Sequence, residues 1–265
     1  MCPLIDIFGR EIGTYGLCAV IGCIVSVYFF YRNTKSYGLI FEDVVLLAVP
    51  TFLGLVIGGH IVFGFTHIDV MIKLIRNIGK LSFNEIIGVL SACFGGSVFY
   101  GGFLGSLITF VIFTRKYPEE MKQKFRDTFA LCIPLFHVFG RIGCFLGGCC
   151  YGIESEFGFT VHNNTLVPEI NDVCRFPTPL LESFGNLVIF LILFAIYKKN
   201  RMNGKLVFLY MIIYPCLRFS DEFLRGDTVR GIYFGLSTSQ WISIILFITA
   251  VSYFIISKIR KPKTE

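Results

Sequence analysis

The sequence predicts an all-α, polytopic integral membrane protein of about seven transmembrane helices, N-terminus outside and C-terminus cytoplasmic, and three observations lead there. The chain of 265 residues is 54% hydrophobic and 16% charged, with a mean hydropathy of +0.70. A soluble domain of that length cannot bury so much apolar surface. Apolar runs recur at about 14–31, 43–66, 86–113, 128–150, 179–197, 206–224 and 238–257, and several reach the roughly 20 residues that a helix needs to cross hydrocarbon. The basic residues are shared unequally between alternate loops. One side holds Arg32, Lys35, Arg115, Lys116, Lys122, Lys124, Arg126, Lys198, Lys199, Arg201, Lys205, Lys258, Arg260, Lys261 and Lys263; the other holds Arg10, Lys73, Arg76, Lys80, Arg175, Arg225 and Arg230. Short loops rich in Lys and Arg stay cytoplasmic, which sets the orientation.

Taken in order, the first run is expected to remain as an uncleaved anchor, because the residues before it lack the basic region and small-residue cleavage site of a secretory signal. No lipidation motif stands at either end. The whole chain, 1–265, reads as a single membrane domain with two outer excursions. The segment 67–85 carries Val70, Leu74, Ile75, Ile78 and Leu81 at helical spacing with polar residues between, as an outer interfacial arm would. The segment 151–178, with Pro168 and Pro177, reads as an outer loop. In the third run Ser91 and Gly95, Ser97 and Gly101, and Gly101 and Gly105 stand four apart, which suits close helix packing. Tyr100-Gly101-Gly102 differs, since a phenol beside the open backbone of two glycines suits a headgroup-binding turn. The runs at 179–197 and 206–224 are the shortest, which leaves room for a re-entrant segment. Internal repeats are not evident.

The net charge of +6 is accounted for by topology and by attraction to anionic lipid, so membrane lipid is an expected partner and nucleic acid is not. Of the ten cysteines, Cys18, Cys23, Cys93, Cys132 and Cys216 lie in apolar runs, where thiols behave as small hydrophobes. Cys144, Cys149 and Cys150 follow His137 but lack paired Cys-x-x-Cys spacing, so neither a metal nor a cofactor is expected. Either Cys149 or Cys150 can pair with Cys174 if the outer face is oxidising.

Two charged stretches stand out. Arg141 lies among Gly140, Gly143, Gly147, Gly148 and Gly152 at the end of a long apolar run. A cation at bilayer depth costs about 2.5–3.5 kcal/mol on insertion scales, so it calls for a polar cavity, a carboxylate or an anionic ligand. The glycines let a backbone or a lipid headgroup come close. Arg218, Asp221, Glu222 and Arg225 share one face if the stretch is helical, and form either a salt-bridge network or an anionic-ligand site.

These stretches, with four others in order, resemble the bacterial prolipoprotein diacylglyceryl transferase family. Thr14-Tyr15-Gly16-Leu17 is similar to its aromatic-Tyr-Gly element and Gly58-Gly59-His60 to its glycine-rich second-helix motif. Tyr100-Gly101-Gly102 stands where a His-Gly-Gly is typical. Gly140 to Gly152 resembles the signature, Pro177 to Glu182 the element after the outer loop, and Arg218 to Arg225 an Arg-Phe-x-x-Glu-Phe-x-Arg stretch; Gly235-Leu236-Ser237 and Gln240 fit the start of the last helix. The resemblance implies transfer of a diacylglyceryl group from phosphatidylglycerol to the lipobox cysteine of a prolipoprotein signal peptide, with release of glycerol phosphate, at the outer leaflet of the bacterial plasma membrane.

On that reading Arg141 and Arg218 hold the phosphate by bidentate hydrogen bonds. Glu222 orients Arg218, and Arg225 reaches phosphate or peptide. Tyr15 and Tyr100 donate to the headgroup, while Gly101, Gly102, Gly140, Gly143 and Gly152 line it. His60 or His137, the two histidines inside helices, takes the thiol proton. Arg175 and Glu182 are weaker candidates, as charges at a loop–helix boundary. The chain departs from the family where Cys144 and Cys149 replace an asparagine and an acidic residue and Gly147 replaces a second asparagine. Two alternatives therefore stay open: a phospholipid-dependent transferase to a different acceptor, and a non-enzymatic lipid carrier.

Overall fold

The structure, a computed structural model, describes residues 3–7, 9–162, 164, 167–200, 202–227 and 232–259. Arg201, Arg230, Arg260, Lys261 and Lys263 from the loop comparison lie outside the described residues. The helices are α1 Thr14–Thr34, α2 Phe41–Phe65, α3 Ile68–Asn77, α4 Phe83–Phe94, α5 Phe99–Thr114, α6 Glu119–Gly147, α7 Thr178–Lys198, α8 Leu206–Asp221 and α9 Thr238–Ile259. Three short antiparallel pairs join them: β1 Leu4–Ile7 with β2 Arg10–Gly13, β3 Glu154–Thr160 with β4 Cys174–Arg175, and β5 Ile232–Tyr233 with β6 Leu236–Ser237.

Among the described residues five helical segments are long and apolar enough to cross a membrane, or six if the bent pair α4–α5 counts as one span. The run at 86–113 is therefore not one straight helix; α4 and α5 meet at an angle of 86°. Gly95 and Gly96, poor helix formers, stand at the break. His60 Nδ1 lies 2.7 Å from the Phe94 carbonyl and 2.8 Å from that of Gly96, so the ring satisfies acceptors that the break strips of helical partners. The run at 206–224 yields a helix of only 16 residues, which spans about 24 Å against a hydrocarbon layer of roughly 30 Å.

Polarity is inverted relative to a water-soluble protein. Thr178, Glu182 and Asn186 are fully buried, while Ile24, Leu46, Ile57, Leu191 and Ile248 are each more than half exposed. Polar side chains gathered inside an apolar exterior are what a hydrocarbon surround requires.

The chain divides into two compact units, Lys35–Lys122 on the one hand and Met1–Thr34 with Gln123–Glu265 on the other. In the first, Ser82 caps α4: its hydroxyl accepts from the Glu85 amide, and the Glu85 carboxylate accepts from the Ser82 amide at 2.7 Å. This is a capping box at a Ser-x-x-Glu sequence. Helices α2 and α5 cross through Gly54, Gly58, Gly101 and Gly105, where a methyl group on any of the four would run into the backbone of the opposite helix. At Gly105 that methyl would overlap the Gly54 carbonyl and sit 3.1 Å from the Gly58 Cα. Gly105→Ala is expected to destabilise the protein by roughly 1–3 kcal/mol, because two backbones must move apart. Thermal unfolding in detergent measures this, and an unchanged midpoint would refute the tight crossing.

In the second unit α6 is the central element. Its Cys132 thiol donates to the Ser26 carbonyl of α1 at 3.4 Å, and Ser183 of α7 donates to its Val138 carbonyl at 3.0 Å. Asp127 of α6 accepts from the amides of Gly204 and Leu206 at 2.9 and 3.0 Å, which satisfies donors at the start of α8. Phe208 of α8 stacks on Tyr253 of α9 with ring centroids 3.7 Å apart. These contacts fix the axial register of α6, α7, α8 and α9, and so of the charged residues they carry.

Candidate active site

On α6 the residues His137, Arg141 and Cys144 recur at intervals of four and three, which places them on one buried stripe of the helix. On α7 the matching stripe is Glu182, Ser183, Asn186, Ile189 and Leu193. The two stripes meet in an ion pair, Arg141 Nη2 to Glu182 Oε1 at 2.9 Å. Arg141 Nε also donates to His137 Nε2 at 3.3 Å, and Tyr214 of α8 donates its hydroxyl to Glu182 Oε1 at 3.1 Å. Glu182 thus takes charge-assisted hydrogen bonds from one helix and a phenol from another. It is fully buried.

Arg218, one turn beyond Tyr214 on α8, pairs with Glu222 and lies 3.5 Å from Asp221. Its Nη2 also donates to Ser239 of α9 at 3.1 Å. The four charges of the stretch do not share a helical face. The α-helix ends at Asp221, a 3-10 turn covers Glu222–Leu224, and Arg225 is extended. Arg225 turns instead to Asp227, giving Nε to Oδ1 at 2.8 Å and Nη2 to Oδ2 at 2.6 Å. That bidentate pair is one the sequence reading did not include. Arg141 contacts Glu182 directly, whereas Arg218 is held by Asp221, Glu222 and Ser239 and lies within electrostatic reach of Glu182.

At the end of α6 Gly148 adopts φ +75°. Its amide donates to the Phe145 carbonyl at 3.2 Å, and the Cys149 amide donates to that of Cys144 at 3.1 Å. These two bonds are a Schellman motif, which brings the third-last helical residue against the second one past the end. Here those residues are Cys144 and Cys149. Cys150, at φ +59°, turns a third thiol the same way, and the three Sγ atoms lie within 4.8 Å of one another. Hydrogen bonds from Cys144 and Cys149, aided by Arg141 and Arg225 and opposed by burial, hold the Cys150 thiol well below its ordinary range. For Cys149 the Cys144 hydrogen bond pulls downward, but the bond to Cys150 and burial outweigh it, and that thiol is pushed up to about 11. Cys174 carries a free thiol, so the pairing with Cys149 or Cys150 is not formed.

The glycines divide. Gly143 sits where a methyl would lie 3.0 Å from Cys18 Cβ and 3.2 Å from Tyr15 Cα, so it sets the approach of α1 to α6. Gly152 is enclosed by the carbonyls of Phe176 and Leu224. Gly140 and Gly147 have open space over the backbone. Tyr15 is half exposed and Tyr100 buried. Tyr100, Gly101 and Gly102 fall within α5, not in a turn, and both glycines face α2 in the helix crossing. With His60 they belong to the Lys35–Lys122 unit, whereas Arg141, Arg218, His137 and Tyr15 belong to the other.

Comparison with known sequences bears on this arrangement. The sequence model of the family described as Prolipoprotein diacylglyceryl transferase matches residues 3–256. The chain belongs to that family. Among its relatives are the phosphatidylglycerol–prolipoprotein diacylglyceryl transferase of Clostridium tetani, 30% identical over 97% of this chain and 98% of that protein, and the enzyme numbered 2 of Clostridium perfringens, 31% identical over 97% and 96%. That of Campylobacter hominis is 29% identical over 98% and 91%.

For this member of the prolipoprotein diacylglyceryl transferase family, sequence reasoning undervalued Glu182 and passed over Asn186, Tyr214 and Asp227. Glu182 was weighed as a boundary charge because it lies four residues after the first residue of α7. The signal that distinguishes it is the spacing Glu182, Asn186, Ile189 and Leu193, which puts it on the apolar stripe. Arg175, by contrast, has its guanidinium 4.8 Å from the Tyr151 ring centroid and donates to the Gly152 carbonyl at 3.3 Å, which pins the loop.

Proposed function

We propose that the protein transfers a diacylglyceryl group from phosphatidylglycerol to the lipobox cysteine of a prolipoprotein and releases glycerol phosphate. The observation that carries the reading is the pair of buried arginines, Arg141 held by Glu182 and Arg218 held by Glu222, in a chain whose family match spans nearly its whole length. The carboxylates hold the guanidiniums in place before the lipid arrives. Arg141 engages Glu182 through Nη2 and His137 through Nε, so Nη1 is the edge it presents to a phosphate oxygen. In the reaction the lipobox thiol gives its proton to a base, the sulfur attacks the terminal glyceryl carbon, and the carbon–oxygen bond to phosphate breaks. Negative charge then grows on the leaving phosphate, where fixed guanidinium donors lower the barrier most.

The sequence offers two helical histidines, His60 and His137, as candidates for the base. His60 donates Nδ1–H to the backbone carbonyls of Phe94 and Gly96. His137 Nε2 already accepts from Arg141, a positioning role. Glu222 orients Arg218 and Asp227 orients Arg225. Tyr15 donates to the headgroup, and Gly140 lets it approach. In this reading α8, continued by its 3-10 turn, completes seven spans in one membrane domain. The N-terminus is outside, the site faces the outer leaflet of the bacterial plasma membrane, and the 67–85 arm lies in the outer interface.

The test is release of glycerol phosphate from headgroup-labelled phosphatidylglycerol by purified protein, with a lipobox peptide and with its Cys→Ser counterpart. Release with the thiol peptide alone is the expected result. Equal release with both, or none with either from protein that still binds the lipid, would overturn the thiol acceptor.

A further inference from the structure

The reaction proposed above uses none of the protein's own thiols, yet three of them converge at the end of α6. Their meeting follows from backbone geometry: the Schellman turn at Gly148 apposes Cys144 and Cys149, and the left-handed Cys150 adds the third. We propose that Cys144, Cys149 and Cys150 form a binding site for one thiolate-seeking d10 cation, zinc or copper(I). The three Sγ atoms lie within 4.8 Å of one another. A cation with bonds of about 2.3 Å to sulfur needs them about 3.8–4.0 Å apart, so closure asks only for small side-chain rotations. Cys144 is buried and the other two are half-buried, which leaves a side from which an ion can enter.

The chemistry of the set selects the ion. Soft sulfur donors favour zinc and copper(I) over magnesium or calcium. Each thiol that binds releases its proton to solvent, so three thiolates leave a bound zinc with a net single negative charge. Arg141 and Arg225 lie within electrostatic reach of Cys150 and offset that charge. Three protein ligands and one open position suit zinc with a bound water, and three alone suit trigonal copper(I).

The experiment uses the full chain, reduced, in detergent. Zinc chloride is titrated against a chromophoric chelator, and in a second arm copper(I) against a copper(I)-specific one. One ion per chain is expected in at least one arm, and the arms separate the two ions. Cys149→Ser and Cys150→Ser are each expected to weaken uptake by about 100-fold or more, since loss of an outer-sphere partner alone costs roughly 10–100-fold. Cys216→Ser, at an exposed site on α8, is expected to leave uptake unchanged.

Alkylation mapped by mass spectrometry supplies a readout that needs no variant: the bound ion is expected to slow modification of Cys149 and Cys150 at least tenfold while Cys216 reacts as before. Uptake of neither ion, uptake that survives serine at all three positions, or alkylation unaltered by the ion would each overturn the site. Loss of glycerol phosphate release would not bear on it, because binding is read without turnover.

Discussion

Arg141→Lys is expected to lower the rate of thiol-dependent glycerol phosphate release by roughly 10²–10³-fold, the range for removing one preorganised donor from a site of developing charge. Lysine keeps the positive charge and hence the pairing with Glu182, so the protein is expected to fold. What it loses is the fork. In the proposed reaction a guanidinium serves Glu182, His137 and a phosphate oxygen from three edges at once, whereas an ammonium on a flexible stem offers a single point charge. The loss should fall on kcat more than on KM, because the interaction strengthens as the phosphate leaves. Turnover and lipid binding measured side by side decide the matter. A rate within about threefold of the parent would remove Arg141 from the chemistry, given what one such donor contributes elsewhere.

Glu182→Ala is expected to cost roughly 3–5 kcal/mol of stability, the scale for removing one partner of a buried ion pair. Glu182 is fully buried and takes Arg141 at 2.9 Å and Tyr214 at 3.1 Å, so its removal leaves a cation and a hydroxyl without their acceptor. A double-mutant cycle separates this from simple loss of volume. Glu182→Ala combined with Arg141→Met is expected to be less damaging than the two single changes summed, because the stranded cation is gone. Unfolding of purified protein in mixed micelles provides the free energies. Additivity across the cycle would mean that the ion pair adds nothing beyond packing.

Much of this was open to reading from residue order. The apolar runs located the helices, and Arg141 declared itself because an arginine among glycines at the end of such a run has no cheap bland explanation. The places where the reading stopped share a cause. The break between α4 and α5 depends on His60, which reaches carbonyls more than 30 residues away in sequence, and the Gly95-Gly96 pair is equally compatible with ordinary helix crossing. The short strand pairs in the loops carry too few residues to show an alternating pattern. Arg225 left its supposed helical face because the α-helix ends at Asp221 and Asp227 offers it a bidentate partner. Glu182 was misjudged because its distance from the start of α7 was weighed instead of the face it shares with Asn186. The trio Cys144, Cys149 and Cys150 drew notice but was set aside as a metal site, because Cys-x-x-x-x-Cys-Cys lacks the paired spacing of a metal motif. The turn at Gly148 is what brings the three thiols together.

The pairing of Arg141 with Glu182 also constrains how the protein is made. The ribosome delivers α6 before α7, so for an interval the arginine has emerged and its carboxylate has not. Left unpaired within the hydrocarbon, Arg141 would carry an insertion penalty of up to about 2.5–3.5 kcal/mol, and Glu182 would later face one of its own. Neither helix is a good independent passenger through the translocon's lateral gate. Entering lipid together, the two helices would do so as a neutralised pair. The same contact that holds the candidate catalytic guanidinium in place thus favours insertion of α6 together with α7.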